Sequence, residues 1–286
     1  MNCTKGQNLF YKKGDLPYWQ GWITELRKIP EIKIDRCCIE ENICKVELHG
    51  FSDASKGAFA AVTYLRIESE ESVKLTLIAA KTRVAPLKQQ SLPRLELLGA
   101  LCLAKLVSAV RKAIEPVIPI SAIYYSTDSI TTLYWIQGTS KEFKQFVENR
   151  VAEIRELSDA EGWRHVPGKS NPADLPSRGV RLEDLADNSL WWNGPTWLHE
   201  SEEHWPQFKN AEPDEAAEKE KKLSERSLAK SDRFYTRVSN SSSEQAYKSR
   251  TINRSKKIQF FIEIISGYSS GIKICENTQT QMQGGR

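Results

Sequence analysis

The chain has 286 residues, 40% hydrophobic and 27% charged, enough for one sizeable core plus additional material. Its 41 basic and 37 acidic residues leave a formal charge of +4, which neither demands nor excludes nucleic acid. No apolar run approaches the roughly 18 residues of a spanning helix, and the opening MNCTKGQNLFYKKGD lacks the apolar stretch of a signal peptide. An intracellular protein, cytoplasmic or nuclear, is therefore expected, with no membrane partner. Cys3, Cys37, Cys38, Cys44, Cys102 and Cys275 fit neither a zinc ribbon nor a disulfide scaffold. Reduced, structural thiols are expected.

In the first 44 residues, Trp19, Trp22, Leu26 and Ile29 recur at three- and four-residue steps, predicting an amphipathic helix before Pro30. CKVELHGFSDA predicts a strand running out at Asp53, GAFAAVTYLRI a second and VKLTLIAAKT a third. Their tight connections predict an antiparallel meander. Pro93 opens a helix through about Arg111, with Leu95, Leu98, Cys102, Leu106 and Val110 on its buried face. AIYYSTD predicts a buried strand, SITTLYWIQ a short helix and KEFKQFVENRVAEIRELS a longer one. Phe143, Phe146, Val147, Val151, Ile154 and Leu157 share one face of that longer helix. GWRHVPG reads as a last strand and NPADLPSR as a short helix. The order β-β-β-α-β-α-α-β-α predicts an α/β fold in which the later strands extend the sheet in parallel. Beyond about residue 207, AEPDEAAEKEKKLSERSLAKSDR and VSNSSSEQ predict a linker or disordered tail, with IQFFIEIIS at 258–266 as its one apolar island.

Four acids stand out against this pattern: Asp53, Glu96, Asp128 and Asp174. With the fourth strand beside the first and parallel to it, Asp53 and Asp128 emerge at one sheet edge, where crevices form in open α/β sheets. Glu96 lies one turn into the helix packed over them, and Asp174 enters from the last helix. A lone buried carboxylate is costly. Several that converge on a divalent cation are neutralised by it, and hard oxygen ligands suit Mg2+. Such a set serves phosphodiester hydrolysis by two metal ions.

Neighbouring residues carry two readings each. Lys169 and Arg178 flank Asp174 and either hold substrate phosphates or are ordinary solvated charges. Ser55 and Ser129 either bond the substrate backbone or make local turn bonds. Lys81 and Arg83 line a groove or a solvated loop, with the loop favoured. Trp191 and Trp192 either stack bases or pack, with packing favoured. The strand position of His165 favours a structural role over a proton shuttle.

The strings VELHGFSDAS, LIAAKTRVAP, LPRLELLGALCLAKLV, YSTDS, FVENRVAEI, WRHVPGKSNPADLPSRG and LWWNGPTWL occur in one order along the chain. On these strings, residues from about 15 to 205 resemble the region that follows the reverse transcriptase in Pao-like (BEL/Pao) LTR retrotransposon polyproteins. The resemblance implies a ribonuclease H-like mixed five-stranded sheet flanked by helices. It also implies catalytic, metal-holding roles for Asp53, Glu96, Asp128 and Asp174. The implied activity is endonucleolytic cleavage of the RNA strand in an RNA–DNA hybrid, with two Mg2+ ions (Mn2+ as a substitute). The implied partners are the hybrid and the reverse transcriptase of a parent polyprotein. Residues 1–44 then read as a remnant of the connecting region, 45–180 as the nuclease-like domain, 181–206 as a Trp-rich extension and 207–286 as the charged tail.

The same family region is sometimes labelled a peptidase. An aspartic peptidase loop needs a glycine, which Asp53-Ala54-Ser55 and Asp128-Ser129-Ile130 lack. The chain departs from its relatives in having no Tyr-x-Asp-Asp polymerase motif, no integrase zinc cluster and no histidine in the loop Pro167–Ala173. The alternative to an active nuclease is an inactive relic that binds nucleic acid or a protein partner.

Overall fold

The computed structural model describes residues 20–21, 23–24, 27, 42–138, 143–207 and 215–221. Gln20, Gly21, Ile23 and Thr24 are helical, while Trp19, Trp22, Leu26 and Ile29 lie outside the described residues, as does the island at 258–266.

Five strands form one sheet: β1 (Ile43–Ala54), β2 (Ala58–Ser69), β3 (Val73–Val84), β4 (Ala122–Thr127) and β5 (Trp163–His165), in the order β3-β2-β1-β4-β5. β1 pairs antiparallel with β2, and β2 with β3. β4 lies parallel to β1, and β5 parallel to β4. The helices are α1 (Leu92–Ile114), α2 (Ile130–Gln137), α3 (Gln145–Leu157) and α4 (Asp174–Arg178). This is the expected ribonuclease H-like arrangement.

The sheet buries both faces, which is why β1 reads as a nearly continuous buried run. Val46, Leu48 and Ala54 face a core built with Leu97, Leu103 and Val107 of α1. Two glycines let α1 and β1 approach closely. A Cβ on Gly50 would come within 2.5 Å of Leu103 Cδ1, and one on Gly99 within 3.0 Å of the Asp53 carbonyl oxygen.

The opposite face carries Phe51, Val62 and Tyr64, and the Trp-rich stretch covers it. That stretch folds into α5 (Leu182–Ala186), α6 (Ser189–Asn193) and two short 3-10 turns, Thr196–His199 and Glu202–His204. Trp191 is buried. Trp192 donates its indole N–H to the carbonyls of Leu185 and Ala186 at 3.0 Å each. Tyr64 Oη donates to the Trp191 carbonyl at 2.7 Å. These tryptophans are engaged in packing.

A buried polar network lies under this cover. Arg66, 2% exposed, donates to the Leu198 carbonyl at 2.8 Å, the Glu200 carbonyl at 3.2 Å and Glu47 Oε2 at 2.9 Å. Burial pushes the Glu47 carboxyl up, but hydrogen bonds from His49 and Lys45 overcome it and hold it at about 2.

Two expectations need correction. Phe143, placed on the long helix by its spacing, instead pairs in an isolated antiparallel bridge with Lys221, and α3 begins at Gln145. Part of the stretch expected to be disordered is also ordered. Glu215–Lys219 forms a short helix, α7, with Ala217 fully buried against the domain. Composition concealed this because one small residue supplies the buried contact. No helix among the described residues is long and apolar enough to cross a membrane.

Candidate active site

β1 carries Asp53 to the sheet edge, where it is only 4% exposed. In the parallel ladder Ser52 lies opposite Thr127, so the residues that follow, Asp53 and Asp128, leave adjacent strands at the same end. Asp174 opens α4, and the NPAD turn positions it. Asn171, fully buried, donates from Nδ2 to the Ser52 carbonyl at 3.0 Å and accepts the Ala173 N–H at 3.1 Å. One turn further along α4, buried Ser177 donates its hydroxyl to Asp53 Oδ2. Ser55 donates to the Ser177 carbonyl at 2.7 Å. α4 is thus fastened to the end of β1 at several points.

Glu96 is half-buried and turned towards the same corner. Ser129, the residue after Asp128, donates to Glu96 Oε2 at 2.6 Å while capping α2 through the Thr132 N–H at 3.1 Å. Gly168 passes over Asp128, since a Cβ there would stand 3.2 Å from Oδ2.

The carboxylates act on one another. Burial raises the proton affinity of Asp53, and the charges of Asp128 and Asp174 raise it further, against the Ser177 hydroxyl and Arg178. Asp128 is also pushed up, by burial and by Asp174, against its backbone and a hydrogen bond from the Asp53 carboxyl. Among the described residues no three His, Cys, Asp or Glu side chains stand together as a formed cation site. The donor chemistry nevertheless fits a hard divalent ion, because such an ion supplies the positive charge these oxygens lack.

Asp53 has a stability consequence. Its folded proton affinity lies above that of the unfolded chain, so the fold loses stability as pH rises from the ordinary carboxylate range through the raised value. In EDTA at pH 8, Asp53→Asn is expected to be more stable to urea than the native chain by about 1–3 kcal/mol, since a tenfold rise in proton affinity on folding is worth about 1.4 kcal/mol. The gap should close near pH 4. A variant less stable at pH 8 would contradict this reading.

The remaining candidates fall in different places. Ser55 and Ser129 bond protein groups: Ser55 accepts locally from the Ala58 N–H and donates to the distant Ser177 carbonyl, and Ser129 donates to Glu96. Arg178 pairs with Asp174. Lys169 is exposed on the loop beside Asp128. His165, whose strand position points to a structural role, lies opposite Thr127, and its ring hydrogen-bonds the backbone of Asp128. Burial lowers its proton affinity, with Asp128 pulling the other way. The pairing of β4 with β5 is the signal that places it there. Asn171 and Ser177 escape the sequence reading, although an asparagine three residues before Asp174 is a turn signal.

Two parallel strand ends, a covering helix and a final short helix carry Asp53, Asp128, Glu96 and Asp174 respectively. Residues 11–129 match the family model of the Pao retrotransposon-like RNaseH-like domain. That stretch includes Asp53, Glu96 and Asp128, while Asp174 lies beyond it. No curated protein matches the chain. Among solved structures, RNase H1 from the halophilic archaeon Halobacterium salinarum NRC-1 is similar at 13% identity and a TM-score of 0.30, over 46% of this chain and 91% of that one. LC11-RNase H1 in complex with an RNA/DNA hybrid matches at 13% identity and 0.31, over 46% and 91%. The foamy viral protease-reverse transcriptase in complex with an RNA/DNA hybrid matches at 11% and 0.29, over 55% of this chain and 24% of that one.

Proposed function

We propose that the chain is a divalent-metal-dependent endoribonuclease that cuts the RNA strand of RNA–DNA hybrids. The observation that carries this reading is the meeting of Asp53, Asp128 and Asp174 at one sheet edge, with Glu96 drawn to the same corner by Ser129. These four carboxylates would hold the metal. Bound Mg2+ supplies the positive charge that activates water and stabilises the leaving 3′ oxygen. Ser177 orients Asp53, Ser129 orients Glu96, and Asn171 fixes the start of α4.

Exposed cations lie on the elements around this edge. Lys169 is on the loop crossing Asp128, and Lys81 and Arg83 project from the end of β3, which pairs with the start of β2. Contacts of this kind reach sugar and phosphate, with 2′-hydroxyls marking the RNA strand. Hybrid affinity should fall steeply with added salt.

The alternative is a binding module without turnover. A labelled hybrid incubated with the full chain separates the two readings. Cleavage of the RNA strand with Mg2+ or Mn2+, abolished by EDTA, is expected. Hybrid binding that persists in EDTA, with no cleavage under any metal, would leave only the binding module.

A further inference from the structure

The acidic segment Glu215–Lys221 docks beside the first turn of α1, two residues from Glu96. Glu220 meets Arg94 in a two-pronged ion pair, Nε to Oε1 and Nη2 to Oε2, each 2.9 Å. The main chain joins in, with Lys144 N–H donating to the Glu220 carbonyl at 2.8 Å and Lys144 Nζ to the Lys219 carbonyl at 2.5 Å. Beneath the ion pair, the Arg94 guanidinium lies 4.7 Å and the Arg150 guanidinium 4.0 Å from the centre of the Phe146 ring. An arginine fork of this kind receives a carboxylate or a phosphate with the same geometry. Ala217 is the segment's one fully buried apolar side chain among the described residues, so little hydrophobic area fastens it. A contact that is mostly polar and small in area opens at low cost.

We infer that residues 215–221 are a built-in competitor for nucleic acid: Glu220 occupies the Arg94 fork, and a backbone phosphate of the hybrid displaces it. The inference rests on the hybrid being the substrate. Competition from within the chain reduces apparent affinity by the fraction of molecules in which the fork is free.

The test uses the full-length chain with a fluorescent RNA–DNA hybrid in EDTA, read by anisotropy, so that no cleavage step contributes. Glu220→Gln removes the competing charge, and Ala217→Asp undocks the segment from its buried side. Both variants are expected to bind the hybrid about three- to tenfold more tightly than the native chain. In the Arg94→Ala background Glu220→Gln should add nothing. Glu203→Gln makes the same charge change in the turn covering the opposite sheet face and should leave affinity unchanged. Variants that bind no better than the native chain, or a gain that survives Arg94→Ala, would overturn the inference. Tighter binding by these variants, together with no RNA cleavage by any form when Mg2+ or Mn2+ is supplied, would uphold the competitor and end the nuclease reading. A hybrid bound by none of the proteins would end both.

Discussion

Asp128→Asn is expected to lower hybrid cleavage by about 10²–10³-fold, the usual cost of removing one preorganised charge from a reacting centre. Asparagine keeps the shape of the side chain, so the turn from β4 into α2 and the Ser129 cap should survive. What disappears is one charge from a corner where Asp53, Asp128 and Asp174 already repel one another. Folding should therefore be unharmed or improved while turnover collapses. Single-turnover cleavage across a Mg2+ series, with a thermal melt of the same preparation, reads both quantities. Equal cleavage by the variant and the native chain would remove Asp128 from the chemistry. Full recovery at high Mg2+ would reduce its role to metal affinity alone.

Arg66→Ala is expected to destabilise the fold by about 3–5 kcal/mol, the range for breaking a buried ion pair by removing one partner. Arg66 is tied to Glu47 and to two carbonyls of the Trp-rich cover. Its guanidinium also lies 5.6 Å from the centre of the Trp205 ring. Truncation would leave Glu47 buried with one fewer cation and two carbonyls without their donors. Urea unfolding at neutral pH measures the loss. A cost below about 1 kcal/mol would show that Lys45 and His49 suffice for Glu47. The expectation bears on chain organisation, because the residues that Arg66 grips belong to the stretch 181–206. By this account that stretch closes the second face of the sheet.

Much of this was legible in the sequence because period and burial agree. Alternating and β-branched runs mark β1 to β4, and the apolar spacing of Leu95, Leu98 and Cys102 marks α1. The parallel pairing of β4 with β1 follows from the helix between them, and with it the adjacency of Asp53 and Asp128. The groups that orient the acids are harder to see. Asn171 carries a turn signal, but the strand-end partners of Asn171 and Ser177 lie more than a hundred residues away in sequence, so no local pattern ties them to Asp53. His165 needs the register of a three-residue strand, too short for its alternation to register. The docked segment 215–221 escapes for a related reason: its ordering depends on one alanine and an ion pair with Arg94, while its composition is that of a solvated tail.

At Gly99 the helix that bears Glu96 passes so close to the main chain of Asp53 that an added Cβ would stand 3.0 Å from its carbonyl oxygen. This approach sets how near the backbone of Glu96 lies to the end of β1. Substituents elsewhere on α1 can be exchanged while this spacing persists. A methyl at position 99 would force one of these two elements to give by a few tenths of an ångström, near the corner where Glu96 and Asp128 lie.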